Sequence, residues 1–204
     1  MRAGDFVPNV ELRVPFTQKD EARRLGARWD GKTWYIPAGV DRTAFEQWLP
    51  TPQPPNIRAP GWSLAGSQRE CWRCKKASQV FAIALPPEYE AWTVEEDPVD
   101  DHWQSGDGLV LLSYVSAVPD SVATELRLRA PRYRVDYSQT TQSFYWMNHC
   151  EHCEAKLGDY ETLEESGTFY VLGAGFNERN LTIESFHPGS GAFAGRCGSH
   201  IGVE

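Results

Sequence analysis

No apolar run in this chain approaches the length of a membrane span. The longest, Val80–Leu85 and Leu109–Val115, are strand-sized, whereas a spanning helix needs about 20 apolar residues. The opening residues Met1-Arg2-Ala3-Gly4-Asp5 lack the apolar core of a signal peptide. The expected location is therefore a reducing cytoplasm, where cysteines serve more often as metal ligands than as disulfides. Positive charge is also scarce, with 20 Lys and Arg against 28 Asp and Glu. The shortfall is uneven: residues 1–50 carry 8 against 7, about +1, while the remainder carries 12 against 21, or −9. A region that acidic repels a phosphate backbone, so only the N-terminal part is a candidate for nucleic acid.

Familiar catalytic signatures are missing as well. Gly173-Ala174-Gly175 lacks the third glycine and the following helix of a dinucleotide site. Gly189-Ser190-Gly191 lacks the Gly-x-Ser-x-Gly pattern of a nucleophile elbow. The acidic stretch Glu95-Glu96-Asp97, Asp100-Asp101-His102 and Asp107 fits no calcium-loop spacing and reads as a solvated loop.

Turn formers and aromatics, by contrast, are plentiful. The 17 Gly and 14 Pro point to many turns, hence to strands. With 41% hydrophobic residues and 8 Trp, 8 Tyr and 9 Phe, the chain has the makings of a packed core. Five prolines between Pro50 and Gly61 remove backbone donors and favour extended structure. They predict a semi-rigid linker over 51–61, between a small module at 1–50 and a main domain at 62–204.

In the first module Val10–Val14 alternates like a strand, and Pro15 ends it. Thr17 with Asp20 three residues on is a capping-box pattern. The helix it predicts carries Ala22 and Leu25 on one face, Lys19 and Arg23 on another, and stops at Gly26. Asp30-Gly31 between aromatic runs predicts a hairpin. Asp41 then caps a second helix that buries Phe45, Trp48 and Leu49 before Pro50. The predicted order is strand–helix–hairpin–helix.

After the linker, strands are expected at Gln79–Leu85, Leu109–Val115, Tyr133–Tyr137, Gln142–Met147, Thr168–Leu172 and Leu181–Phe186, with one helix at Ser121–Arg129. The predicted fold class is therefore α+β: a strand-helix-hairpin-helix module joined to a β-rich, zinc-ribbon-like main domain.

Cys71-Trp72-Arg73-Cys74 and Cys150-Glu151-His152-Cys153 each place two thiols on one tight turn. Two such knuckles supply the tetrahedral sulfur cage that zinc prefers. The long separation between the pairs requires a sheet inserted between them. Four thiolates leave no position for water, so one structural Zn2+ is expected at Cys71, Cys74, Cys150 and Cys153. Arg73, Lys75 and Lys76 would offset part of its negative charge. Redox dithiols would need a strand–helix setting, and an iron–sulfur cluster can also use four thiolates. His149 and His152 are expected to lie around the ligands, not among them. Cys197 is left over; with His200 it makes only a lone pair.

At the N-terminus the residues carry a resemblance. Val14-Pro15-Phe16, Lys19-Asp20-Glu21-Ala22, Leu25 through Asp30, Trp34 through Gly39 and Phe45–Trp48 together resemble a small domain of unknown function. That domain is known as an appendage of plasmid-encoded TraC-type primases and as part of many uncharacterised bacterial proteins. The resemblance covers about residues 10–50 and implies company with DNA-processing proteins. Primase activity does not carry over, because the catalytic part is absent from the resemblance. Tyr145 through Cys150, with Leu157-Gly158-Asp159-Tyr160, is similar to a segment of uncharacterised bacterial proteins bearing the same paired cysteines.

These readings point to a non-enzymatic binding or adaptor protein. Its nucleic-acid contact would be Arg13, Lys19, Arg23, Arg24, Arg28 and Lys32, with DNA or RNA as ligand; of Trp29, Trp34, Tyr35 and Trp48 most are expected in the module's core, with one left exposed to stack a base. A protein partner is the other candidate for this N-terminal contact, and the acidic main domain offers a second surface for one. The alternative is an enzyme whose active site lies in a pocket of the β-rich domain that pattern reading cannot see.

Overall fold

The computed structural model describes residues 10–31, 33–37, 40–41, 43–48, 53–95, 100–141, 143–164, 168–169 and 181–201. The chain divides into two compact units, residues 1–52 and 53–204.

In the first unit, β1 (Val10–Leu12), β2 (Arg28–Trp29) and β3 (Trp34–Ile36) form a three-stranded antiparallel sheet with β3 in the centre. Asp30 and Gly31 turn β2 into β3. Thr33 N–H donates to Asp30 Oδ1 at 2.8 Å, and Gly31 takes φ +98°, which glycine adopts without strain. The helix α1 spans only Lys19–Arg24. It begins on a 3-10 turn, Phe16–Gln18, with no side-chain cap, so the expected capping box does not form. Gly26, at φ +104°, ends it. Leu12, Ala22, Ala27, Trp34, Ile36, Phe45 and Trp48 make a small core.

The second expected helix is a 3-10 segment, Thr43–Trp48. Asp41 still caps it, accepting from Thr43 N–H at 3.0 Å. A run this short closes few i→i+4 bonds and gains little from α winding, so the tighter form is open to it, although α1 of equal length is an α-helix.

The second unit is built almost wholly of strands. β4 (Ile57–Glu70), β5 (Ala77–Leu85), β8 (Leu109–Ala117) and β13 (His187–Ile201) pair in sequence, and β13 pairs again with β4. The pairing therefore closes on itself as a small barrel. The two long strands make this possible, since each pairs with one neighbour along its first part and another along its second. β6 (Glu90–Thr93) and β7 (His102–Ser105) extend the sheet beyond β4, and β12 (Thr182–Ile183) adds to β4. A second sheet has the order β11 (Lys156–Leu157), β10 (Ser143–His149), β9 (Tyr133–Ser138). The helix α2 (Asp120–Arg129) precedes β9 and buries Val122 and Leu126; α3 is the single turn Tyr160–Leu163.

The α+β expectation is thus overturned: the chain is mostly β, with few and short helices and a barrel-like sheet. In place of the expected zinc-ribbon-like main domain stands a barrel carrying a second sheet. The proline-rich stretch read as linker gives Ile57–Gly61 to β4. Pro60 is tolerated there because it sits opposite the register shift between Pro188 and Gly191 of β13. β5 and β8 explain the unbroken apolar runs of the sequence. Ile83, Leu85, Val110 and Leu112 belong to one core, and Val80, Ala82, Ala84, Leu109 and Leu111 to another. Strands buried on both faces have no polar side to alternate with. Among the described residues no helix is long and apolar enough to cross a membrane. Of the strand expected at Thr168–Leu172, Thr168 and Phe169 form a turn instead; its remainder and the glycines at 173 and 175 lie outside the described residues.

Candidate metal centre

The two Cys-x-x-Cys turns occupy the tips of two antiparallel hairpins of the same register. Glu70 pairs with Ala77 across the first, and His149 with Lys156 across the second. Both tips fold alike. Cys71 N–H donates to Lys76 O and Lys75 N–H to Cys71 O; Cys150 N–H donates to Ala155 O and Glu154 N–H to Cys150 O, all at 2.9 Å. Lys75 and Glu154, at equivalent places, take φ +59° and +58°. Each turn aims both its thiols at one point.

That point is shared. The sulfurs of Cys71, Cys74, Cys150 and Cys153 all lie within 4.8 Å of one another. Cys71 Sγ is 3.7 Å from Cys153 Sγ, and Cys74 Sγ is 3.6 Å from Cys150 Sγ. A tetrahedron whose centre lies about 2.3 Å from each sulfur has edges of roughly 3.8 Å. The spacing therefore fits a four-thiolate metal, and is far too long for a disulfide bond of about 2.05 Å. Cys71 and Cys150 are buried, and Cys74 and Cys153 partly so. Burial pushes the Cys150 thiol up, but backbone N–H groups of His152 and Cys153 outweigh it and bring the thiol down to about 6. Cys153 goes the other way, to about 11: its bond from the Ala155 N–H is outweighed by burial and by the neighbouring sulfurs. Four thiols this close share protons unequally until a cation removes the conflict.

The hairpins also hold each other directly. Trp72 of the first tip donates its indole N–H to Lys156 O, 2.9 Å, just beyond the second. His152 Nε2 of the second tip lies 2.9 Å from Ala77 O, just beyond the first, and Glu151 N–H donates to Ser78 Oγ at 3.1 Å. His149 packs inward, with Nε2 2.9 Å from Asp136 Oδ2. Asp136 also receives Lys156 Nζ at 2.9 Å. Although burial works against it, the bonds from His149 and Lys156 hold the Asp136 carboxyl well below the usual range. Asn148 clamps the two sheets: its amide accepts from Phe81 N–H and donates to Phe81 O, both at 2.8 Å. Of the flanking cations, Lys75 reaches Glu70 at 3.9 Å, and Arg73 and Lys76 are exposed. Cys197 lies apart in β13, half-buried, where burial raises its thiol to about 11.

The basic residues of the first unit are not gathered into one bare patch. Lys19 Nζ sits 3.9 Å above the Phe16 ring. Arg23 pairs with Asp20 at 3.6 Å and lies 5.6 Å from the Trp34 ring. Arg13, Arg24 and Arg28 are exposed, and Lys32 lies outside the described residues. Among the described residues of this unit, two aromatics are open to solvent, Phe16 at 80% and Trp29 at 52% exposure. Trp29 was marked in the sequence only as one of several aromatic candidates, and Phe16 carried no signal beyond following Pro15. Asn148 and Asp159 fall in a segment whose resemblance assigns them no role, and Tyr114 carries no signal, since a lone Asp, Asn or Tyr has no pattern.

No solved structure matches the chain. Residues 9–50 match the family model of a domain of unknown function, DUF5710. Two curated relatives are both named DNA primase TraC, from Escherichia coli. One is 31% identical over 120 residues, 56% of this chain and 11% of that protein. The other is 49% identical over 39 residues, 18% of this chain and 3% of the relative. The longer match exceeds the first unit and so takes in part of the second. The chain spans about a tenth or less of the length of these relatives. Residues 9–50 thus carry the DUF5710 resemblance, and the chain is also similar over 120 residues to a part of TraC.

Proposed function

We propose that this chain is a zinc-stabilised, non-enzymatic binding module of the cytoplasm that engages single-stranded nucleic acid through its first unit. The observation that carries this reading is the company of exposed aromatic and basic side chains there. Phe16 and Trp29 stand open to solvent, with Lys19 against Phe16 and Arg23, Arg24 and Arg28 nearby in sequence. Aromatic faces stack bases and cations track phosphates, which together give sequence-tolerant binding to single strands. The relatives named DNA primase lend the reading support. The near-neutral charge of residues 1–50 limits the affinity, and the Arg23–Asp20 pair must open for Arg23 to take part.

The metal's role is structural. Four thiolates at tetrahedral spacing favour zinc over oxygen-seeking ions. When bound, the ion ties two hairpins together and offers no open position for chemistry.

Fluorescence anisotropy with a labelled oligothymidylate tests the binding. The full chain is expected to bind at low salt and to weaken as salt rises. Phe16→Ala with Trp29→Ala should weaken it at least tenfold, at about 1–3 kcal/mol per lost stack. Unaltered binding by the double variant would overturn this surface. Elemental analysis of protein purified without added metal should return about one zinc per chain, and iron in its place would overturn the zinc assignment. A protein partner on the acidic second unit is the other reading, favoured by a specific cavity there.

A further inference from the structure

The second unit holds a cavity of about 380 Å3 beside the knuckles, bounded by Trp72, Tyr114, Tyr145, Lys156, Asp159 and Tyr160, with hydroxyls and Glu161 at its sides. Its buried members are Tyr145 and Asp159; Trp72 and Tyr160 are exposed and form its rim. Tyr114 and Tyr145 meet edge to face at 5.2 Å, making an aromatic corner. Asp159 is fully buried. Its Oδ2 accepts the Tyr114 N–H at 2.6 Å, while its Oδ1 has no partner among the described residues.

The other charges of the cavity are already matched. Lys156 Nζ donates to Asp136 at 2.9 Å and to Tyr137 O at 2.6 Å. Glu161 receives Arg69 at 2.8 Å. Arg196 lies 5.1 Å from the Tyr114 ring centre. Among the described residues, Asp159 alone of the lining charges has no counter-ion. Burial and the neighbouring Glu164 raise its carboxyl to about 7, against the pull of the Tyr114 N–H. A buried charge without a counter-charge is costly. A neutral donor would satisfy Oδ1 but leave the charge buried. A cation would satisfy both, and the ring faces around it would add their own attraction.

We propose that this cavity is a binding site for an organic cation, a guanidinium or ammonium head group, with Asp159 as its counter-ion and Tyr145, Trp72 and Tyr160 as its aromatic walls. The site goes beyond the nucleic-acid reading and uses none of its residues. The −9 charge of residues 51–204 draws such cations in. The head group could belong to a basic side chain of a protein or to a free amine, and both present the same chemistry to the pocket.

Calorimetric titration of the full chain at pH 7.5 with N-acetyl-arginine amide, agmatine and choline, against N-acetyl-citrulline amide as the neutral isostere, tests it. At least one cation is expected to bind ten times or more tightly than citrulline. An advantage of the acetylated arginine over agmatine would indicate a peptide source, and the reverse a free amine. Tyr160→Ala, at an exposed rim position that does not bear on folding, should weaken the cation several-fold. Asp159→Asn should weaken it at least tenfold and erase the preference over citrulline. Citrulline binding as well as arginine would overturn the proposal, as would no binding by any probe or two variants that bind like the parent. None of these results depends on oligothymidylate binding, so the two readings fail separately.

Discussion

Asn148 is the most exposed to quantitative challenge, because the sheet leaves Phe81 to it. β8 pairs with β5 only over Ile83–Leu85, so the strand beside Phe81 is missing and the Asn148 amide takes its place. Asn148→Ala would strip partners from one part-buried N–H and one part-buried C=O, at up to about 1–3 kcal/mol each. A water entering the gap could bridge the two groups and offset part of this. The expected cost is therefore about 3 kcal/mol, near the low end of that sum, or roughly 6–12 °C in Tm for a unit of this size. Asn148→Asp is the sharper variant. It keeps an acceptor for Phe81 N–H but sets an oxygen against Phe81 O unless the acid is protonated. Its folded pKa would stand above the unfolded value of about 3.9. Its deficit relative to the parent should then be small near pH 4 and grow as pH rises, at up to about 1.36 kcal/mol per pH unit. Urea unfolding at fixed free zinc, followed by far-ultraviolet dichroism from pH 4.5 to 8, measures both. A cost under 1 kcal/mol for Asn148→Ala, or a pH-independent Asn148→Asp, would refute the clamp.

Asp159 carries the opposite sign to a salt-bridged acid. Its folded value, about 7, lies above the unfolded one, so its contribution is nil below about pH 4 and increasingly unfavourable up to pH 7, by up to roughly 4 kcal/mol. Asp159→Asn should therefore unfold at a higher Tm than the parent at pH 8 and match it near pH 4; a lower Tm at pH 8 would refute this. Gly198→Ala would bring a Cβ to 2.9 Å from Leu111 O, a backbone atom with no freedom to move aside. About 1–3 kcal/mol of lost stability is expected, and a neutral result by urea unfolding would show that the β8–β13 pairing yields more easily than it looks.

The paired cysteines were legible because metal binding imposes its own local grammar. Two ligands must come from each tight turn, whatever fold surrounds them, so Cys71-x-x-Cys74 and Cys150-x-x-Cys153 announced a shared point across a long gap. β5, β8, β9, β10 and α2 were legible for a similar local reason, since each carries its own apolar run or its own alternating or helical spacing. β13 was not. Its sequence, His187-Pro188-Gly189-Ser190-Gly191-Ala192, is that of a turn. It pairs because neighbouring strands approach too closely for side chains: a Cβ on Gly195 would lie 3.1 Å from Ser113 O. β4 was hidden likewise, as Gly61 would meet His187 O at 2.8 Å. Glycine there records a tertiary approach, and that is unreadable before the partner strand is known.

The same distinction explains why the α+β expectation failed while several of its elements stood. Propensity and capping act over four residues and locate turns well. Whether Thr43–Trp48 winds as an α-helix or a 3-10 helix is decided by how many bonds the segment can close and how Phe45 and Trp48 reach the core. The functional surface divides along this line too. Charges on a short helix are visible in sequence, yet Lys19 and Arg23 spend part of their reach on Phe16, Trp34 and Asp20. Asp159, silent in sequence, acquires its significance only when the fold buries it beside Tyr114 and leaves one oxygen without a partner. A charge becomes a candidate site through what the fold withholds from it, and such sites must be sought among buried groups as much as among exposed ones.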